Sequence, residues 1–177
     1  MDLKNNFRKM IKRKIIINKK EIDQKICSNI LKFLENKNYT AIHTFLPRND
    51  EPNIWPIIHK LQNSGIRIYV PKCNGKHCEY LTDNKLIRGK YDIFEPYNTN
   101  YIDLKKTKID FVFVPLLAVD LKKNRLGKGG GFYDRFLPNL NKDIIKIGIS
   151  LHEPYESIPV EDHDIKLDLC ITPSGIY

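Results

Sequence analysis

The chain alternates between helix-spaced and strand-like runs of apolar residues. Leu3, Phe7, Met10, Ile11 and Ile15 recur at roughly helical intervals and predict a helix from Asp2 to about Ile17. Ile22, Ile26, Ile30, Leu31 and Leu34 give a second helix, Lys19 to about Asn36, a stripe to bury. Asn18 and Glu21 have the spacing of a capping box at its start. Thr40 to Leu46 reads as a strand that runs into the polar loop Pro47-Arg48-Asn49-Asp50-Glu51. Pro52 suits the first turn of a helix extending to about Gln62, which Gly65 closes. Ile66 to Val70, Ile109 to Val114, Ile144 to Ser150 and Leu167 to Thr172 are further short apolar strands. Phe132 to Leu137 predicts a short helix ended by Pro138. Between them, Lys72 to Tyr101 is polar and irregular, broken by Gly75, Gly89 and Pro96, with Tyr80, Tyr91, Phe94 and Tyr97 as its aromatics. Strands alternating with helices argue for an α/β fold: a mostly parallel sheet covered on both faces.

Length and composition narrow this. A chain of 177 residues is expected to form one domain with a core large enough to need no staples. No run approaches the ~20 apolar residues of a membrane span, and no signal or transit pattern opens the chain, so the expectation is a cytoplasmic protein without a membrane partner. Cys27, Cys73, Cys78 and Cys170 are read as reduced thiols; Cys73, His77 and Cys78 could begin a zinc site but lack a second ligand pair. The net charge is +9, yet residues 1–20 carry eight Lys and Arg against Asp2 alone. The basicity is therefore concentrated at the N-terminus, whereas a uniform basic face would have argued more strongly for nucleic acid.

The chemistry concentrates in Asn124 to Leu137. Gly127, Gly129, Gly130 and Gly131 are four of the nine glycines, and Arg125, Lys128 and Arg135 flank them. The order is strand, glycine-rich loop, helix. Such a backbone can approach an anion closely, with helix N–H groups and cationic side chains supplying hydrogen bonds to phosphate oxygens. Asp134, in the first turn, is placed where a phosphate-bound Mg²⁺ needs a carboxylate. Phe132 and Tyr133 exclude a Walker A loop, and Phe132 stands where a dinucleotide fingerprint requires its third glycine. Lys4 and Arg8 are four apart and share a helical face, which suits either a polyphosphate clamp or a solvated basic surface. Asp120, just ahead of the loop, reads equally as a neighbour of the metal or as a turn residue bonded to its own backbone. Trp55, the only Trp, suits burial or stacking on a ligand ring.

Arg125-Leu126-Gly127-Lys128-Gly129-Gly130-Gly131-Phe132-Tyr133-Asp134-Arg135-Phe136-Leu137 resembles the signature of the 5-formyltetrahydrofolate cyclo-ligase (methenyltetrahydrofolate synthetase) family. Ile93-Phe94-Glu95-Pro96 and the stretch around Pro159, Glu161, His163 and Asp164 are similar to two further family patterns. One departure is the absence of a Gln in His152-Glu153-Pro154-Tyr155. The resemblance implies a Rossmann-like three-layer αβα sandwich. It also implies conversion of 5-formyltetrahydrofolate and ATP to 5,10-methenyltetrahydrofolate, ADP and phosphate, with Mg²⁺ and as a monomer. ATP would be bound by Lys4, Arg8 and the run Arg125, Leu126, Gly127, Lys128, Gly129, Gly130, Gly131, Phe132 and Tyr133. The folate would contact Leu46, Glu51, Lys128 and Phe132. Arg125, Lys128 and Glu51 would be catalytic, and Asp134 would hold the metal. Two other classes compete: a basic RNA-binding module, which leaves the glycine motif idle, and a sugar-phosphate isomerase or acyl-transferase relative on a similar fold.

Overall fold

The computed structural model describes residues 2–71, 78–80, 86–89, 94–97 and 106–177. Its central sheet has the strand order β10 (Leu169–Ile171), β9 (Ile145–Ile149), β6 (Phe111–Pro115), β1 (Ala41–His43), β2 (Arg67–Pro71) and β3 (Cys78–Tyr80). All neighbours are parallel except β3, which runs antiparallel to β2. The chain steps from β1 to β2 on one side, then crosses back to place β6 on the other. The order thus reverses between β1 and β6, and a crevice opens beyond their carboxyl ends.

Parallel strands buried on both faces need apolar residues on both, and β6 supplies them in alternation. Phe111 and Phe113 face helices α2 (Lys19–Leu34) and α3 (Trp55–Asn63), together with Ile26, Ile30, Ile57, Ile58 and Leu61. Val112 and Val114 face the opposite layer, where α4 (Phe132–Phe136) and the 3-10 turn Leu137–Asn139 contribute Phe136 and Leu137. Helix α1 (Leu3–Lys12) lies outside these layers, seated through Ile11 on Ala118, Leu126 and Ile158. Two short antiparallel pairs complete the fold. One joins β4 (Leu86–Arg88) to β5 (Phe94–Pro96), and the other joins β7 (Ala118–Val119) to β8 (Arg125–Leu126).

Several expectations are corrected in detail. Helix α1 stops at Lys12, because the β-branched run Ile15-Ile16-Ile17 disfavours continuing the helix. The capping box does not form: Asn18 is left-handed with no side-chain cap bond, and Glu21 pairs with Lys25 at 2.7 Å. Pro52 precedes its helix, and Pro56 is the proline of the first turn. Asp120 is a turn residue, accepting from the N–H groups of Lys122 and Asn124 and from Asn124 Nδ2 at 2.8–3.0 Å. Trp55 is half-buried, stacked on His59 and edge-on to Phe94. Cys73, His77 and Tyr91 lie outside the described residues.

His43 is the unusual core residue. It is fully buried on β1, its ring 4.6 Å from that of Phe136, and neither nitrogen has a hydrogen-bond partner among the described residues. Burial pushes its pKa down to about 3. The folded protein therefore keeps His43 neutral, whereas the unfolded chain takes up the proton below about pH 6.5. Stability should fall as pH drops through that window, by up to ~1.4 kcal/mol per pH unit from this residue. Urea unfolding at about pH 7 and about pH 5 should show a smaller loss for His43→Phe than for the wild type. Equal losses would show that the buried ring does not carry the pH dependence.

Candidate active site

A cavity of about 560 Å³ occupies the crevice between β1 and β6, within the range of small-molecule sites. Every residue that the family resemblance assigns to ATP, the folate, catalysis or the metal lines it, whereas Asp120 and Trp55 do not. Leu46 and Glu51 come from the loop after β1. Arg125 and Leu126 come from β8, and Gly127 to Asp134 from the loop and α4. Lys4 and Arg8 reach it from α1. These positions are far apart in the chain; crossover connections and the docking of α1 converge them.

The glycine loop is clamped at its two ends. Arg125 is buried, and its Nη2 donates to Asp134 Oδ1 at 2.5 Å, which joins the end of β8 to the first turn of α4. Between them the backbone turns through positive φ at Gly129 (+100°) and Gly131 (+61°), conformations that L side chains rarely adopt. A Cβ on Gly131 would stand 2.8 Å from the Arg135 guanidinium, which folds back to donate to the Gly130 carbonyl at 3.0 Å. Arg8 lies across the loop and donates from Nε to the Gly127 carbonyl at 2.9 Å. Helix α1 thus brings a cation directly onto the phosphate-type loop.

The remaining cations are held by carboxylates. Lys4, only 7% exposed, bonds both oxygens of Asp164 at 2.6–2.7 Å and Glu161 at 3.0 Å. Burial opposes the charge on Lys4, but these bonds and the two negative charges outweigh it and raise its pKa. Lys128 pairs with Asp50 at 2.7 Å and Glu51 at 2.8 Å, bridging the loops that follow β1 and β8. Burial pushes the Asp50 carboxyl up, and the hydrogen bond and charge of Lys128, with Arg48, bring it below its ordinary value. Glu51 is buried and also accepts from the Arg48 N–H at 3.0 Å, which fixes the turn it stands in.

The sequence reading missed four contributors to this arrangement. Asp50, Glu161 and Asp164 neutralise the site cations, and Arg48 forms part of the wall. The Glu-x-His-Asp pattern was the only local signal for Glu161 and Asp164; nothing near Lys4 in the sequence points to partners 160 residues away. Glu153, at the site of the missing Gln, turns away to the C-terminus, accepting from Thr172 Oγ1, Ser174 and the Tyr177 hydroxyl.

Comparison with known proteins agrees with this architecture. Residues 1–173 match the 5-formyltetrahydrofolate cyclo-ligase family model. A 5-formyltetrahydrofolate cyclo-ligase of Haemophilus influenzae is 28% identical over 173 residues, covering 93% of this chain and 92% of that protein. One from Escherichia coli is 31% identical over 145 residues, covering 77% and 80% respectively. The NMR structure of Aquifex aeolicus 5,10-methenyltetrahydrofolate synthetase superposes with a TM-score of 0.83 at 25% identity, covering 98% of this chain and 91% of that one.

The clamp across the glycine loop yields a stability prediction. Asp134→Asn leaves the Arg125 guanidinium buried without its counter-charge. Because the Asp134 side chain is 23% exposed, the expected cost is about 2 kcal/mol, below that of breaking a fully buried pair. Urea unfolding should show a lowered midpoint, and a double-mutant cycle with Arg125→Met should show strong coupling. An unchanged midpoint for Asp134→Asn would mean that the pair does not hold the loop.

Proposed function

The chain belongs to the 5-formyltetrahydrofolate cyclo-ligase family, and we propose that the cavity between β1 and β6 carries out that family's reaction. 5-Formyltetrahydrofolate and ATP become 5,10-methenyltetrahydrofolate, ADP and phosphate. The observation that carries this reading is the glycine loop with three cations on it, Arg8, Lys128 and Arg135, in a cavity whose lining also includes the apolar Phe45, Leu46 and Phe132. The cations suit phosphates, and the apolar lining suits a flat heteroaromatic substrate.

The chemistry explains why no protein nucleophile is needed. A formamide oxygen is a poor leaving group. Transfer of the γ-phosphoryl group to that oxygen, with release of ADP, makes it a good one. N10 then forms its bond to the formyl carbon, phosphate departs with the C–O bond electrons, and N10 gives up its proton. Both stages depend on alignment and on neutralising charge. Arg8 and Lys128 would hold the phosphates together with the loop N–H groups, while Arg125 keeps the loop in shape through Asp134. Lys4, already gathered into the cavity by Asp164 and Glu161, would add a further positive charge. Glu51 stands beside Lys128 at 2.8 Å; it would either accept the N10 proton or hold the pterin.

The donor chemistry suits magnesium, because Asp134, Glu161 and Asp164 present hard carboxylate oxygens to the same cavity. Asp134 is the residue we assign to hold it. When bound, the ion would offset charge on the transferring phosphoryl group. The enzyme is further proposed to act as a monomer of one domain.

The direct test is ATP- and Mg²⁺-dependent appearance of methenyltetrahydrofolate absorbance. Product formation without ATP, or none with it, would overturn the reading. Arg8→Ala removes a cation from the loop and should raise KM for ATP by about tenfold while changing KM for the folate little. Equal weakening of both substrates would count against a phosphate role. Glu51→Gln separates the two roles of that carboxylate. A fall in kcat of about a hundredfold at unchanged folate KM marks a proton acceptor, and a raised folate KM at unchanged kcat marks a binding group.

A further inference from the structure

Asp50 is absent from the wall of the main cavity and reaches the site through Lys128. The Lys128 Nζ donates to Asp50 Oδ1 at 2.7 Å and lies 2.8 Å from Glu51 Oε1. We propose that Asp50 is a positioning residue for the phosphoryl-transfer step. It tethers the Lys128 ammonium beside Glu51, so that the cation meets the transferring phosphoryl group there instead of following the phosphates of bound ATP. The proposal rests on the reading of the cavity as a site for ATP and the folate.

Three observations carry it. First, Lys128 needs an anchor at its tip. It stands between Gly127 and Gly129, and a Cβ on Gly127 would meet nothing within 4 Å. Neither neighbour has a side chain to direct the lysine stem, which is long, flexible and costly in entropy to fix. Second, the anchor is rigid. Asp50 lies inside a closed turn, in which the Glu51 N–H donates to the Arg48 carbonyl and the Arg48 N–H donates to Glu51 Oε2, both at 3.0 Å. This turn presents two successive carboxylates to one nitrogen. Third, Asp50 stays ionised at neutral pH, because Lys128 and Arg48 outweigh the effect of its partial burial.

The two carboxylates differ in placement. The Glu51 side chain is 9% exposed and lines the cavity, whereas that of Asp50 is 55% exposed and stands at the rim. Around them the charges balance: Lys128 and Arg48 against Asp50 and Glu51, with Arg48 Nε 3.6 Å from Asp50. Phosphates entering the cavity must compete with both carboxylates for Lys128. Asp50 therefore weakens the hold on ground-state ATP while keeping the cation where charge is transferred. An interaction of that kind raises kcat and does not lower KM.

Asp50→Asn keeps the shape and one acceptor oxygen but removes the charge. KM for ATP should fall about threefold and kcat about tenfold, with little change in KM for the folate. Asp50→Glu restores the charge on a longer stem and should recover part of kcat. In a Lys128→Met background, Asp50→Asn should have no further effect on either parameter, since Asp50 acts through Lys128. An unchanged kcat or a raised KM for ATP in Asp50→Asn would overturn the proposal. So would an effect that persists in Lys128→Met, which would assign Asp50 to Arg48 or to the turn alone. Calorimetric titration with a non-hydrolysable ATP analogue needs no turnover, so it separates this proposal from the reading of the reaction. Tighter binding by Asp50→Asn than by the wild type supports competition for Lys128 even if no methenyl product forms. Equal or weaker binding, alongside normal turnover of the wild type, sinks the role of Asp50 alone.

Discussion

The ion pair between Arg125 and Asp134 is the constraint on which the site depends. A loop containing four glycines has little preference of its own for any one shape and loses much backbone entropy when fixed. Closing it with a charge-assisted bond at 2.5 Å between a buried guanidinium and the first turn of α4 restricts both ends at once. Arg135 then folds onto the Gly130 carbonyl, and Arg8 onto that of Gly127, so three arginines hold the loop from three directions. The positive φ values at Gly129 and Gly131 are tolerable only because these residues lack a Cβ. Flexibility in composition becomes rigidity in place.

From that loop outward, the site is assembled by pairing its two lysines with carboxylates before any substrate is present. Lys4 with Asp164 and Glu161, and Lys128 with Asp50 and Glu51, keep long side chains in the cavity that would otherwise spread into solvent. Such pairs contribute little as exposed bridges, but here they are partly removed from water and fix direction. Negatively charged phosphates entering the cavity would compete with these carboxylates for the same cations. Exchange of one set of anionic partners for another is less costly than dehydrating free ammonium groups.

The sheet supplies the geometry that makes this convergence possible. Reversal of strand order between β1 and β6 separates the loops at their carboxyl ends, so that the Glu51 loop and the glycine loop face each other across a gap. Lys128 spans that gap. Helix α1 is outside the layered core, yet Ile11 seats it on Ala118, Leu126 and Ile158, so its polar face turns Lys4 and Arg8 inward. Buried Ile11, with Phe7 edge-on to Tyr155, thus orients two of the eight cations in the first twenty residues, while Lys9, Lys12 and Arg13 remain exposed.

By itself the sequence determined the α/β class, the approximate elements and the glycine loop, because periodicity and glycine spacing are local signals that survive without coordinates. It marked Ile109 to Val114 as a strand, and the structure forms one over Phe111–Pro115; that this strand lies between β9 and β1 was decided by the fold. It also carried the family signature, which named the loop residues and the distant Lys4, Arg8, Leu46 and Glu51 that share the cavity. Only the tertiary structure decided who pairs with whom. Asp134, which looked from the sequence like a carboxylate free for a metal, is shared with Arg125. Asp120, equally poised between metal and turn, is consumed by its own turn. Asn18 and Glu21 had the spacing of a cap, but Lys25 one turn on took the carboxylate. The partners of Lys4 lie some 160 residues away, and no local pattern reaches that far. Spacing along a chain reports what side chains could do within a few residues. The choice among competing charged and hydrogen-bonding partners is made by distances that only the folded chain sets.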